Sequence, residues 1–271
     1  MKIGTREFNT KEKIYVMGIL NVTPDSFSDG GKYAAIDKAL LRTEEMIEEG
    51  ADIIDLGGES TRPGSLPVSE EEEIRRILPV IEGIKKRFDV PLSLDTYKAS
   101  VAQKGIEAGV DLINDIWGLQ YEKEMAEVIA KENVSCCLMH NRKKKEYGNF
   151  ISDVMHDFSK ILEIAESAGI KKERIILDPG IGFAKDLGQN LQLVSELEQL
   201  QRLGYPVLLG VSRKSMIGET LQLPVEERLY GTLAVNIYGC LKGCSFLRVH
   251  DVRAHKEAVR MLEAIKESIK S

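Results

Sequence analysis

AIDKALLRTEEMIEEGADIIDLG, residues 35–57, holds one complete structural unit. Ala35, Leu40, Met46 and Ile47 recur near the 3.6-residue period of a helix that buries one stripe. Gly50 follows, a residue that takes the left-handed backbone of a helix C-terminus without steric cost. DIIDLG comes next, a short run with almost no polar alternation, as expected of a strand covered on both faces. The stretch therefore predicts helix, left-handed stop, buried strand.

The same unit repeats in both directions. YVMGIL (15–20) precedes it, and VPLSLD (90–95), VDLIND (110–115), VSCCLM (134–139), RIILDP (174–179), YPVLLG (205–210) and SFLRVH (245–250) follow. Helical spacing fills the gaps, and seven joints carry a residue suited to a left-handed turn: Gly50, Asp89, Gly109, Asn133, Gly169, Gly204 and Gly243. Ser69 with Glu72 reads as a capping box for a helix reaching Arg87, and Glu70, Glu71 and Glu73 suit its positive end. Apolar strands separated by helices are parallel, which leaves a doubly wound sheet or a barrel. Eight successive units favour the barrel, and the phosphate-binding turns of the sheet folds are missing. Gly180 and Gly182 are followed by Lys185 where a third glycine belongs, and Leu208 and Arg213 occupy the glycine positions of a P-loop ahead of Lys214-Ser215. The predicted fold class is α/β, a single (β/α)8 TIM barrel spanning residues 1–271.

Charge narrows the function. Forty-three acidic against 37 basic side chains give a net charge of −6, which opposes nucleic-acid binding and gives no attraction to an anionic membrane. No apolar run approaches the roughly 20 residues of a membrane helix, and MKIGTREFNTKEK at the start lacks the apolar region of a signal peptide. A cytoplasmic protein is expected. Cys136, Cys137, Cys240 and Cys244 form no CxxC pair and read as buried thiols. The four histidines include no HExxH pair.

In such a barrel the C-terminal strand ends build the site. Those ends carry Asn21, Asp55, Asp95, Asn114, Met139-His140, Asp178, Gly210 with the following SRKS, and Arg248 with His250. Asp95, Asn114 and Asp178 are planar hydrogen-bonding groups that suit a flat heterocycle with alternating donors and acceptors. Asp55 reads as structural. The glycine-rich loops 21–31 and 57–64 carry Asp25, Asp29 and Arg62, and Arg62, Arg248 and His250 together suit a diphosphate. Arg248 and His250 fall on one side of their strand. Lys214-Ser215 opens a helix whose free N–H groups suit a carboxylate. Arg142 to Lys145 reads as a solvated loop.

Seven segments then carry a resemblance: MGILNVTPDSFSDGG (17–31), DLGGESTRPG (55–64), LSLDT (92–96), INDI (113–116), LDPGIGF (177–183), GVSRKSMIG (210–218) and RVHDV (248–252). In this order, over nearly the whole chain, they resemble the dihydropteroate synthases. The resemblance implies a homodimeric barrel that condenses 6-hydroxymethyl-7,8-dihydropterin diphosphate with 4-aminobenzoate, with magnesium as cofactor and sulfonamides as competitors. It implies pterin contacts from Asp95, Asn114, Asp178 and Lys214, with Arg248 against the ring and Met139 and Phe183 beside the pocket. Asn21 is expected at magnesium, and Asn21, Thr61, Arg62, Arg248 and His250 around the diphosphate. Phe27, Thr61, Arg62, Pro63 and Ser215 would shape the aminobenzoate site. Asp95, Lys214, Arg248 and Asp29 are the expected catalytic groups. NRKKKEYGNF (141–150) departs from the family pattern. A barrel passing a methyl group from methyltetrahydrofolate to a corrinoid protein would share the pterin pocket, but it needs no diphosphate cluster, so Arg62 and the RVH end favour the synthase.

Overall fold

All eight predicted runs form parallel strands. The computed structural model describes residues 1–22, 31–59 and 66–268. A short hairpin, β1 (Lys2–Ile3) and β2 (Arg6–Glu7), precedes the barrel strands β3 (Tyr15–Asn21), β4 (Ile53–Gly57), β5 (Leu92–Asp95), β6 (Leu112–Asp115), β7 (Ser135–Met139), β8 (Ile175–Asp178), β9 (Leu208–Leu209) and β10 (Phe246–Val249). Helices alternate with them: α1 (Gly31–Glu48), α2 (Glu70–Arg87), α3 (Ala99–Glu107), α4 (Lys123–Glu132), α5 (Phe150–Ser167), α6 (Leu187–Ser195) with the short α7 (Glu198–Gln201), α8 (Ser215–Leu221), α9 (Leu229–Leu241) and α10 (Val252–Ser268). The strands pair in the order β8-β7-β6-β5-β4-β3-β10-β9. A parallel bridge between Leu177 and Val207, with Leu177 N–H donating to Pro206 O at 2.9 Å, joins β8 to the chain entering β9 and closes the ring. β9 is shorter than its apolar run because Pro206 has no N–H to extend the ladder.

Six of the seven expected joints are left-handed, with φ of +98° at Gly50, +110° at Gly109, +52° at Asn133, +85° at Gly169, +75° at Gly204 and +97° at Gly243. Asp89 is the exception. α2 ends instead on Phe88, one residue earlier, in an extended conformation with its N–H still bonded to Ile84 O at 2.9 Å. The capping box is also only half made. Ser69 Oγ accepts from Glu72 N–H at 3.3 Å, whereas the Glu72 carboxylate turns to Arg75 and Arg76, at 2.8 Å each. The four thiols are buried and free, as expected. Among the described residues no helix is long and apolar enough to cross a membrane.

The barrel interior explains where the polar groups collect. Met17, Ile53, Leu112, Cys137, Ile176, Leu208 and Phe246 form one buried cluster with Ile3 and Phe8 of the N-terminal hairpin region, which covers that end. Side chains two residues apart on a strand share a face. The inner face one step further along therefore carries Asp55, Asn114, Met139, Asp178, Gly210 and Arg248. An apolar floor thus dictates a polar mouth at the opposite end.

Outside the ring, α3 presses closely on β5. A Cβ placed on Gly105 would lie 2.4 Å from Leu94 Cδ2, and Leu94 is fully buried. Gly105→Ala should therefore lower stability by about 1–3 kcal/mol through overpacking, read as a shift in urea unfolding midpoint. An unchanged midpoint would show that α3 does not press on β5.

Candidate active site

Arg248 lies across the mouth. Its Nε donates to Asp55 Oδ2 at 2.6 Å and its second terminal nitrogen to Asp95 Oδ2 at 2.7 Å, so one guanidinium from β10 ties β4 to β5. Asp55 is fully buried and also accepts from Ser93 Oγ at 2.5 Å and from Asn114 Nδ2 at 3.4 Å. Burial by itself would lower the guanidinium pKa, but the carboxylates of Asp55 and Asp95 outweigh it and raise the value, so Arg248 is a permanent cation. Such a pair is stronger as a whole than in parts. Removing Arg248 would leave two buried carboxylates without their cation, a loss on the order of 3–5 kcal/mol.

The other half of the mouth is built over Gly210. A Cβ on that residue would sit 3.5 Å from Asp178 Oδ2 and 4.0 Å from both Lys214 Nζ and Arg248 Cβ. Glycine there leaves an opening that Asp178, Lys214 and Arg248 share. Asp178 Oδ1 accepts from Gly180 N–H at 2.7 Å. Burial raises the Asp178 pKa, with Lys214 opposing it, and burial pushes Lys214 down to about 8, with Asp178 opposing in turn. Lys214 Nζ also donates to Ile181 O and lies 4.9 Å from the centre of the Phe183 ring. Met139, buried, pairs in register with Asp178.

The rim carries the remaining groups. Asn21 is exposed at the end of β3, level with Gly57. His250 Nδ1 lies 2.9 Å from Ser212 Oγ, and its carbonyl accepts from Arg42 at 3.2 Å. Ser215 is exposed as the first residue of α8. Asp95, Asn114, Met139, Asp178, Phe183, Lys214 and Arg248 thus gather at one end of the barrel, with Asn21, Ser215 and His250 at its rim. Asp25, Phe27, Asp29, Thr61, Arg62 and Pro63 lie outside the described residues. The 142–145 run divides: Lys143, Lys144 and Lys145 are exposed as expected, but Arg142 is held structurally, donating to Asp157 at 2.6 Å and stacking 4.3 Å from the Tyr147 ring.

The sequence reads Asp55 as structural, and the structure agrees: it is fully buried and bonded to Arg248, Ser93 and Asn114, at the centre of the polar set. Its inward parity with Ile53 is the signal that finds it.

Residues 17–250 match the family of pterin-binding enzymes. The dihydropteroate synthase of Clostridium beijerinckii is 58% identical over 266 residues, which span 98% of this chain and 99% of that one. Among solved structures, the dihydropteroate synthase of Clostridium difficile, determined in the presence of pteroic acid, superposes with a TM-score of 0.93 at 48% identity, covering 96% of this chain and 99% of that one. That of Xanthomonas albilineans with 4-aminobenzoic acid gives 0.89 at 40%, covering 94% of each. The chain belongs to the dihydropteroate synthase family. The family match runs from within β3 to the residue after β10, so it takes in every site position from Asn21 to His250.

Lys214 gives this family site a measurable signature. Its pKa in the fold, about 8, is below the ordinary 10.5, so between these values the unfolded chain holds a proton that the folded chain has released. Wild-type stability should then rise relative to Lys214→Met as pH increases from about 8 to 10, measured by urea unfolding. A difference that stays constant across that window would show that Lys214 titrates normally.

Proposed function

We propose that this chain condenses 6-hydroxymethyl-7,8-dihydropterin diphosphate with 4-aminobenzoate, giving dihydropteroate and diphosphate in folate biosynthesis. One observation carries the reading: Asp178 and Lys214 face the opening over Gly210, with Arg248 beside them and bonded to Asp95. A carboxylate at one side of that opening suits the paired N–H groups of a pterin ring edge, a bidentate and charge-assisted contact. Asn114 adds an amide beside Asp95, and Lys214 adds donors to ring acceptors. Arg248, held flat by two carboxylates, offers its face to the ring and positive charge to the departing phosphates.

The reaction asks mainly for electrostatics and placement. The carbon–oxygen bond to diphosphate breaks with its electrons passing to oxygen, while the electron-rich dihydropterin spreads positive charge from the exocyclic carbon. Asp95, with Asp29 of the first loop, stabilises that cation. The amine of 4-aminobenzoate then attacks the carbon and gives up a proton, so no strong base is needed to begin. Arg248 and His250, with Thr61 and Arg62, neutralise the growing charge of the leaving group. Phe27, Thr61, Arg62, Pro63 and Ser215 hold the aminobenzoate and aim its amine, an orientation effect.

Among the described residues no three His, Cys, Asp or Glu side chains are placed to hold a metal ion. The donor set nevertheless fits magnesium, a hard cation that keeps several waters and takes few protein oxygens beside substrate phosphates. Asn21, with an amide oxygen exposed at the strand end, would hold it. When bound it supplies charge neutralisation to the diphosphate.

We also infer a homodimer. α9 packs Thr232, Asn236, Gly239 and Cys240 inward yet leaves Tyr230, Tyr238 and Leu241 exposed. A helix apolar on all sides calls for cover on both, and a second copy supplies it. A cytoplasmic location goes with this reading, since a diphosphate substrate does not cross a bilayer unaided.

Diphosphate release from the pterin substrate, magnesium and 4-aminobenzoate tests the activity, and omitting the amine should abolish product. Arg248→Ala should lose at least about a hundredfold in turnover, as it removes ring contact and anion charge together. Near-normal turnover would overturn the role given to Arg248. Asp178→Asn should weaken pterin binding in calorimetry, because one acceptor of a paired contact becomes a donor. Unchanged affinity would count against the assigned pterin edge.

A further inference from the structure

Lys185 enters the sequence reading only as the residue that spoils a glycine pattern, yet it occupies an unusual place. It is 3% exposed, and its ammonium donates to Gly180 O at 2.9 Å, Phe183 O at 3.0 Å and His140 O at 3.4 Å. Three protons meet three carbonyls. Two of those carbonyls belong to the loop after β8, and the third to the residue that follows β7.

That loop is not self-supporting. Gly180, Gly182 and Ala184 all take left-handed backbone, with φ of +69°, +86° and +47°. A Cβ on Gly180 would lie 2.0 Å from His140 O, so the loop is pressed against the end of β7. Tyr147 OH fastens the far side by donating to Ala184 O at 3.0 Å, and Asn190 Oδ1 accepts from Gly182 N–H at 2.7 Å.

The loop in turn sets the pocket. Gly180 N–H bonds Asp178 Oδ1, Ile181 O accepts from Lys214 Nζ, and the Phe183 ring lies beside that same ammonium. Every loop residue that touches Asp178 or Lys214 is thus within two positions of a carbonyl held by Lys185 or is itself so held. Burial pushes the Lys185 pKa down to about 7, against the attraction of Asp178, with Lys214, Arg142 and Asp157 the other charges facing it. An apolar side chain would fill this space without that desolvation cost.

We propose that Lys185 is a positioning residue for pterin recognition: it ties the 180–184 loop to the end of β7 and so fixes Asp178 and Lys214 at the opening over Gly210. This rests on the functional reading above. It does not touch the substrate, and its effect falls on one substrate and not the other.

Steady-state kinetics and pterin calorimetry on wild type, Lys185→Met and Tyr147→Phe test it. Lys185→Met keeps the length and loses the ammonium, and should raise KM and Kd for the pterin substrate by about tenfold or more while KM for 4-aminobenzoate stays within about threefold. Tyr147→Phe, a mild change that removes one loop fastening, should raise pterin KM by about two- to fivefold in the same selective way. Wild-type pterin affinity in Lys185→Met overturns the proposal, as does an equal loss for both substrates accompanied by a lowered Tm. Should Lys185→Met not fold, Tyr147→Phe decides alone: a selective pterin defect supports the proposal and unchanged affinity overturns it. Variants without effect beside an active wild type remove only this role for Lys185. A wild type that neither binds the pterin nor releases diphosphate removes the functional reading and this inference with it.

Discussion

A guanidinium lying across two buried carboxylates organises the mouth of this barrel. Asp55 is fully buried on β4, and Arg248 reaches it from β10, two places along the strand order, while bonding Asp95 as well. Lysine would serve poorly in that place, because a single ammonium lacks the planar fork that spans two acceptors in fixed directions. Asn114 and Ser93 complete the shell of Asp55, so four strands, β4, β5, β6 and β10, share one hydrogen-bonded centre. Asp55 thereby sets the angle of the guanidinium.

The rest of the site is arranged by what is left out. Gly210 withholds a side chain between Asp178, Lys214 and Arg248, and Gly180 lets the following loop approach the end of β7 more closely than any Cβ would allow. Buried charges of both signs then face one opening, and each disturbs the next: Asp178 holds Lys214 up while burial pulls it down. Such a mouth is costly to build without a ligand, because every ion in it has given up water. The sealed apolar floor around Met17, Ile53 and Phe246, with the hairpin beneath, provides the rigid base on which that cost is carried.

Much of this was legible in the residues. Apolar runs of strand length named all eight strands, and the rule that a barrel builds its site at the C-terminal strand ends placed Asp95, Asn114, Asp178 and Arg248 at one rim. What failed was information that a linear pattern does not hold. Asp55 and Arg248 are 193 positions apart, and nothing near either one names the other. Asp89 looked like a helix stop by residue type, but α2 leaves the helix one residue earlier, on an extended Phe88. Glu72 had the right spacing for a capping box and a better offer from two arginines one turn on. Lys185 was invisible for a related reason, since a side chain whose partners are backbone carbonyls leaves no pattern of partner residue types to find.

The most direct measurement is diphosphate release by Asp55→Ala, a change at a side chain that makes no substrate contact in this account. With the guanidinium released from one of its two carboxylates, turnover should fall by about a hundredfold in a protein that still folds as a barrel by circular dichroism. Turnover within a few-fold of wild type would contradict the claim that Asp55 fixes Arg248, and with it the view that the mouth is assembled around that pair.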